Sequence, residues 1–342
     1  MPAAKIFTSE HPDVKAAWTI YNKTGSKREV AKQLGITDSK VYRLLSVDED
    51  PSPIELPTFP DEDIPAEEIL DHMDKRFQQR LKRDQAMQWF KVKIPDDKPI
   101  GLVFVGDPHI GSNGCNVTQL REDVKIMSET EGVMCVNIGD TVDNWPSGYL
   151  VRLYAENDVS RQTERRLARW FLEEAGVPWV VWLMGNHDNF DGEFSTYLKT
   201  INAEKIPMVD WQAKFRLVFQ NGSEVKINAS HNHKGTSYLN PLHGQKRAAV
   251  WQDHADIIVA GHHHNWAMSQ EELDDGRVVL LARCRGYKWL DDFAKTHGFQ
   301  NRQYGGSIMF VIVPNQEVPT RRLKAFADLK EGAEYLTWLR KK

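Results

Sequence analysis

The chain has 342 residues, of which 41% are apolar and 27% charged, and a formal net charge of -4. That length exceeds one ordinary small domain and supports a large core plus a smaller module, while the average composition excludes a disordered or collagen-like chain. The acidic balance excludes nucleic-acid affinity spread over the whole surface, and no run approaches the roughly 18 apolar residues of a membrane helix.

The opening MPAAKIFTSEHP lacks the basic-then-apolar order of an export signal, so the expectation is a cytoplasmic protein with no membrane partner. Residues 1–46 carry eight Lys/Arg against four Asp/Glu. Within KREVAKQLGITDSKVYRLLS, residues 27–46, Ala31 is small enough for two helices to cross and Gly35 suits a left-handed turn. Val30, Leu34, Ile36, Val41 and Leu44 lock the pair together, and Val14 to Tyr21 supplies a supporting helix. Residues 1–47 therefore read as an all-α module that resembles the helix-turn-helix of phage and transposase-type DNA-binding proteins. Its second helix, Asp38 to Ser46, offers Ser39, Lys40, Tyr42 and Arg43 to a DNA groove. Docking of another protein is the alternative, because the positive balance is modest.

Residues 48–68, DEDPSPIELPTFPDEDIPAEE, hold five prolines and nine acidic residues with no Lys or Arg. Such a stretch self-repels and cannot build a core, so 48–65 reads as a linker. Over 66–96 the apolar residues Ile69, Met73, Phe77 and Leu81 recur at helical spacing in a charged background. This predicts an amphipathic connecting helix that packs on the following domain or on a second copy of itself. The oligomeric state is left open.

The remaining residues, 97–342, read as a second, larger domain. Several short apolar runs in it end abruptly in a metal-competent group: IGLVFVG before Asp107, VMCVNIG before Asp140, VPWVVWLMG before Asn186, SEVKINAS before His231 and ADIIVAG before His262. Apolar, β-branched runs bounded by glycine predict buried strands, and Val159 to Glu174 predicts one of the helices between them. In open α/β layers the crevice lies at the carboxyl ends of strands, where each of these groups sits. Each motif alone is weak, but five in order are not. Gly139, Gly185 and Gly261 let the chain turn away from the site without a side chain crowding it. Carboxylate, amide and imidazole donors without a thiolate suit two divalent ions, manganese foremost, with iron, nickel or zinc as the other candidates. Cys115, Cys135 and Cys284 are odd in number and far apart, which predicts reduced thiols.

With those residues in hand, 100–313 resemble the calcineurin-like metallophosphoesterase superfamily, whose blocks DxH, GDxxD, GNH[D/E], H and GHxH all occur here in that order. The resemblance implies an α/β fold, a two-sheet β sandwich flanked by helices. It also implies that Asp107, His109 and His264 hold one metal, that Asn186, His231 and His262 hold the other, and that Asp140 bridges both. A hydroxide held between the ions would then attack phosphorus. His187 would point to substrate as an acid, oriented by Asp143 unless Asp143 merely caps its loop. The fourth block, SHNHKG, leaves His231 and His233 as alternatives, and His231 is taken because it is nearer the strand end. His263 faces substrate or solvent, while His243 and His254 read as loop and helix residues.

These features predict a metal-dependent hydrolase of phosphoesters. The helix-turn-helix in front and the GDTVDNW and GNHDN contexts look most like phage or prophage metallophosphoesterases, which points to DNA as partner and to nucleic-acid phosphodiesters as substrate. Arg283 to Arg302, RCRGYKWLDDFAKTHGFQNR, reads as a phosphate-contacting flap or as an ordinary surface loop. Two other functions stand beside this one. A small-molecule phosphodiesterase or phosphomonoesterase would use the same core, with the N-terminal module binding protein. A catalytically silent DNA-binding regulator would keep only the module's activity.

Overall fold

The computed structural model describes residues 11–47, 65–145, 159–237, 239–251, 254–290, 295 and 305–342. The linker expected at 48–65 lies outside them apart from Pro65, as does most of the stretch following Leu290. The chain divides into two compact units, Met1–Asp74 and Lys75–Lys342.

The first unit contains α1 (Pro12–Thr24), α2 (Lys27–Leu34) and α3 (Asp38–Leu45). Ser26 caps α2 by accepting a hydrogen bond from the Glu29 amide, and Gly35 ends it in the left-handed region at φ 63°. Val14, Ala17, Val30, Val41 and Leu44 are buried together, one apolar face from each helix. The Trp18 indole donates to the Val47 carbonyl at 2.8 Å and ties down the chain after α3.

Helix α4 (Ala66–Ala86) crosses the boundary between the units and has no buried residue. The expected helix to residue 96 is thus ten residues too long. Gln88–Lys93 is instead a strand, β1, paired in parallel with Lys214–Val218. Trp89, Phe90 and Val92 prefer a pleated, half-buried surface to a helix, and the edge of a sheet supplies one.

The second unit is a two-layer β sandwich flanked by helices. One sheet has the order β1, β6 (Gln212–Val218), β7 (Glu224–Ser230), β8 (Ile257–Ala260), β10 (Val278–Arg283) and β9 (Ala267–Glu272). The other has the order β12 (Leu323–Phe326), β11 (Ser307–Ile312), β2 (Ile100–Val105), β3 (Val133–Ile138), β4 (Trp179–Met184) and β5 (Met208–Asp210). Both sheets are mixed; β2 to β5 run parallel, and so do β7, β8 and β10.

Side-chain alternation builds the layers. On β2, Ile100, Leu102 and Phe104 face the first sheet, where they meet Phe215, Ile227 and Val259. Val103 and Val105 point the other way, into a core closed by α5 (Val117–Glu129), the helical segment from Arg161 and α10 (Leu329–Lys341). That segment comprises α6 (Arg161–Arg169) and a π-helical turn over Trp170–Glu174, within the helix expected at 159–174. Helix α7 (Gly192–Ile201) packs on this layer through Phe194 and Leu198, and α8 (His243–Trp251) covers the outer face of the first sheet. A short α9 (Pro319–Arg322) precedes β12. Cys115, Cys135 and Cys284 are all free thiols.

Candidate metal centre

Five strands deliver one group each to a common point. Asp107 follows β2, Asp140 follows β3, Asn186 follows β4, His231 follows β7 and His262 follows β8, each within two residues of the strand end. Parallel strands place their carboxyl ends on one edge, so motifs far apart in sequence converge there.

Asp140 sits at the middle of the cluster. Its Oδ2 lies 3.3 Å from His231 Nε2 and 3.9 Å from both His109 Nε2 and His187 Nε2. His231 Nε2 is also 2.9 Å from Asn186 Oδ1 and 3.1 Å from His262 Nδ1. On the other side, His109 Nε2 lies 3.2 Å from His264 Nε2. Asp107 Oδ2 accepts from the His262 amide at 2.6 Å, while its Oδ1 is buried and makes no hydrogen bond among the described residues.

All seven residues expected as ligands, Asp107, His109, Asp140, Asn186, His231, His262 and His264, are therefore brought together. His231 rather than His233 is the histidine in the cluster. His263 is exposed beside it, with its ring 4.9 Å from that of His262, and His243 and His254 lie at the start of α8 and on an exposed loop.

The backbone is strained where these groups sit. Of nine non-glycine residues in the left-handed region among those described, six are Asp107, His109, Asp140, Asn144, His262 and His264. Each such residue costs roughly 1–3 kcal/mol, and clusters of them mark sites where side-chain direction outweighs backbone ease. Gly139, at φ 104°, makes the bend before Asp140. A Cβ on Gly185 would collide with Asp140 Oδ1 and the His231 ring, so only glycine lets the β4 loop approach.

Charge within the cluster is sorted by burial. Burial lowers His109 to about 4 and His262 to about 3, which leaves each imidazole neutral at pH 7 with a lone pair to donate. Burial raises Asp107 to about 6. Asp140 would rise with burial too, but His231 and His187 outweigh that and hold it well below the usual carboxylate range. His231, also opposed by burial, is raised to about 10 by Asp140 and Asp107.

This donor set fits divalent cations. Imidazole nitrogens facing each other at 3.1 and 3.2 Å share a proton here and could share a cation in its place, beside a buried carboxylate oxygen, Asp107 Oδ1, that makes no hydrogen bond among the described residues. Carboxylate, amide and imidazole donors without thiolate match borderline ions such as manganese, iron, nickel or zinc.

The groups around the cluster differ from expectation at Asp143. Its carboxylate does not hold His187; it lies 2.5 Å from His109 Nδ1 and accepts from Lys288 Nζ at 3.1 Å to each oxygen. His109 and Lys288 offset its burial and hold it well below the ordinary range. His187 Nδ1 instead meets the Asp143 backbone carbonyl at 2.5 Å, while the carboxylate is engaged by His109 and Lys288. His187 Nε2 then faces Asp140, and the ring packs on Trp145, which is itself stacked with Phe190.

Three supporting residues escaped the sequence reading. Asp188 is fully buried; Oδ2 accepts from the amides of Asp140 (2.8 Å) and Gly185 (2.9 Å), and Oδ1 from that of Thr141 (3.0 Å), so one side chain braces two ligand loops. It stands beside His187 in the GNHD block, where the motif itself carried the signal. Lys288 and Arg283 lie after β10 and within its last position, where no motif marks them. Arg283 is buried and donates to the carbonyls of Gly261 and Pro241, so it braces the β8 loop and does not contribute to a surface flap. Residues 291–294 and 296–302 of that expected flap lie outside the described residues.

In the first unit, Ser39, Tyr42 and Arg43 are exposed on α3. Lys40 is half-buried and paired with Asp13 of α1 at 3.3 Å, and Lys27 lies over the Tyr42 ring at 3.9 Å. The structure thus brings Ser39, Tyr42 and Arg43 to one exposed face and turns Lys40 toward α1.

A family model described as calcineurin-like phosphoesterase matches residues 100–300. A comparison with curated proteins returned no match. Among solved structures, similarity extends to a conserved protein described as a predicted phosphoesterase from Streptococcus pneumoniae, at 16% identity over 67% of this chain and 98% of that one, with a TM-score of 0.29. A novel phosphatase from Mycoplasma pneumoniae is 15% identical over 67% of this chain and 92% of that one, with a TM-score of 0.32. A 5'-nucleotidase from Candida albicans is 11% identical over 75% of this chain and 56% of that one, with a TM-score of 0.35.

Proposed function

Because this chain belongs to the calcineurin-like phosphoesterase family and is a metal-dependent phosphoester hydrolase, we propose that it cleaves phosphodiester bonds of nucleic acid in the cytoplasm, as a phage-type nuclease or phosphodiesterase. The observation that carries the reading is Asp140, whose Oδ2 lies within 3.9 Å of imidazole nitrogens from His109, His187 and His231. Three strand ends thereby share one carboxylate, the placement a ligand common to two cations needs. Asp107, His109 and His264 would hold one ion and Asn186, His231 and His262 the other. Two divalent ions, manganese foremost, would supply Lewis acidity and a water of lowered pKa.

The chain's own residues do the rest. Asp143 accepts from His109 Nδ1–H, which fixes the tautomer and turns Nε2 toward the centre. His187, with Nδ1–H on the Asp143 carbonyl, presents Nε2 to the same centre; there its imidazolium form, disfavoured by burial and favoured by Asp140 and Asp143, would donate a proton to the departing oxygen, leaving the neutral ring. Trp145 and Phe190 wall the ring on one side and limit the water around it.

Support for a nucleic-acid substrate comes from the first unit. Its three helices, with Gly35 at the turn between α2 and α3, have the order of a helix-turn-helix, and Ser39, Tyr42 and Arg43 stand on the exposed face of the second of these two. The test is turnover with manganese or nickel on a simple phosphodiester, a phosphomonoester, and single- and double-stranded DNA, comparing the intact chain with one lacking residues 1–65. The proposal predicts diesterase activity in both forms and DNA cleavage that falls at least tenfold in the shorter one. Equal DNA cleavage would remove the module from substrate delivery, and a preference for monoesters or small diesters would replace the nuclease reading.

A further inference from the structure

We propose that Phe190 and Trp211 are stacking platforms for the two nucleobases that flank the scissile phosphate, Phe190 for the nucleoside that departs and Trp211 for the one that stays on phosphorus. The inference rests on the nucleic-acid reading above and names the side chains by which the centre would recognise such a substrate.

Both rings border the centre and remain in solvent. The Phe190 ring lies 4.6 Å from that of His187, and the Trp211 ring 6.3 Å from that of His231. The two histidines are 7 and 1% exposed, whereas Phe190 is 37% and Trp211 49% exposed. Single exposed apolar side chains are ordinary on a protein surface. These two are set apart by how they are held.

Trp211 is the single residue between β5 and β6, which belong to different sheets. The chain crosses there at φ 67°, a conformation that glycine adopts freely and a bulky side chain resists. Backbone bonds pin the crossing: the Trp211 amide donates to the Met184 carbonyl at 3.1 Å, and its carbonyl accepts from the His231 amide at 2.7 Å. The strained position thus carries a large indole that burial does not repay, fixed beside His231. Phe190 is backed by Trp145, whose ring stacks on it at 5.7 Å and 25° and also packs against His187. The phenyl ring is therefore supported while over a third of the residue stays exposed.

His187 decides which ring serves which ester arm. Placed to protonate the departing oxygen, it puts that oxygen's nucleoside next to Phe190. The nucleoside still joined to phosphorus then falls to Trp211. Every base offers a π face, so stacking favours nucleoside arms over alkyl ones without reading sequence, by roughly 5- to 150-fold per base.

Turnover by the full chain with manganese tests this. The substrates are a single-stranded thymidine tetramer whose central linkage is the only phosphodiester, the outer two being methylphosphonates, and copies with a stable abasic residue on one side of that linkage. For the parent, each base removal should lower kcat/KM at least fivefold, mostly through KM. In Phe190→Leu the base on the departing side should no longer matter while the other still does, and Trp211→Leu should show the reverse. Phe190→Tyr and Trp211→Phe should keep the parent's dependence on both bases. A parent indifferent to either base, or leucine variants that do not lose dependence on the stated base, would overturn the stacking inference while leaving the nuclease reading in place. So would loss of bound manganese in the leucine variants, which would make the rings supports of the centre. A parent that cleaves simple diesters but not the tetramer would instead remove the nuclease reading, and this inference with it.

Discussion

His109 Nδ1 lies 2.5 Å from Asp143 Oδ1, and Lys288 Nζ reaches the same oxygen at 3.1 Å. The carboxylate thus links a histidine at the centre to a lysine on the loop after β10, and it fixes which imidazole nitrogen faces inward. Partners of this kind typically contribute 10–100-fold to metal affinity or activity. Asp143→Asn should therefore lower manganese affinity or turnover by about that factor, read by calorimetry and by initial rates. Unchanged binding and rate would mean that His109 is oriented by something else.

His187 stands apart from that link because its Nδ1 is engaged by the Asp143 backbone carbonyl, while its Nε2 lies 3.9 Å from Asp140 Oδ2. His187→Ala should leave two ions per chain bound but lower kcat by roughly 10²–10⁴, the usual range for a removed general acid. Loss of one ion instead would make His187 a ligand.

Asp188 braces the loops before the metals arrive. Replacing it with alanine leaves the amides of Asp140, Thr141 and Gly185 without their acceptor, at a cost of roughly 1–3 kcal/mol for each group that stays dry. Asp188→Ala should lower the melting temperature of the metal-free protein by several degrees and weaken metal binding together. A variant that melts like the parent would show that water replaces the brace.

Asp123, on α5, sets a pH dependence. Burial lifts it to about 6 although the Tyr287 hydroxyl and the Gln119 amide both donate to it. Its unfolded value is near 3.9. Between those values the folded chain keeps a proton that the unfolded chain has released, so this contribution is full below about 4 and is lost as pH rises through 6, by roughly 2–3 kcal/mol. Asp123→Asn should remove that loss, so its melting temperature should gain on the parent's between pH 4 and pH 7. Parallel curves would refute the assignment.

The sequence was legible where chemistry is local. Glycine-bounded apolar runs marked β2, β3, β4, β7 and β8, and the polar group after each marked the centre. What stayed hidden depends on long-range packing. Gln88–Lys93 looked like the tail of a helix because nothing local announces that β6 offers an edge. The role of Lys288 required knowing that the loop after β10 returns to Asp143, 145 positions earlier. Asp143 itself was found, but whether its carboxylate or its carbonyl meets His187 is decided by backbone direction, which residue type does not encode.

The most direct measurement is metal content together with phosphodiester turnover for the parent and Asp140→Asn. The account predicts two divalent ions per parent chain, at most one in the variant, and loss of turnover on every phosphoester tested. Full turnover by Asp140→Asn, or full turnover by metal-stripped parent, would contradict it.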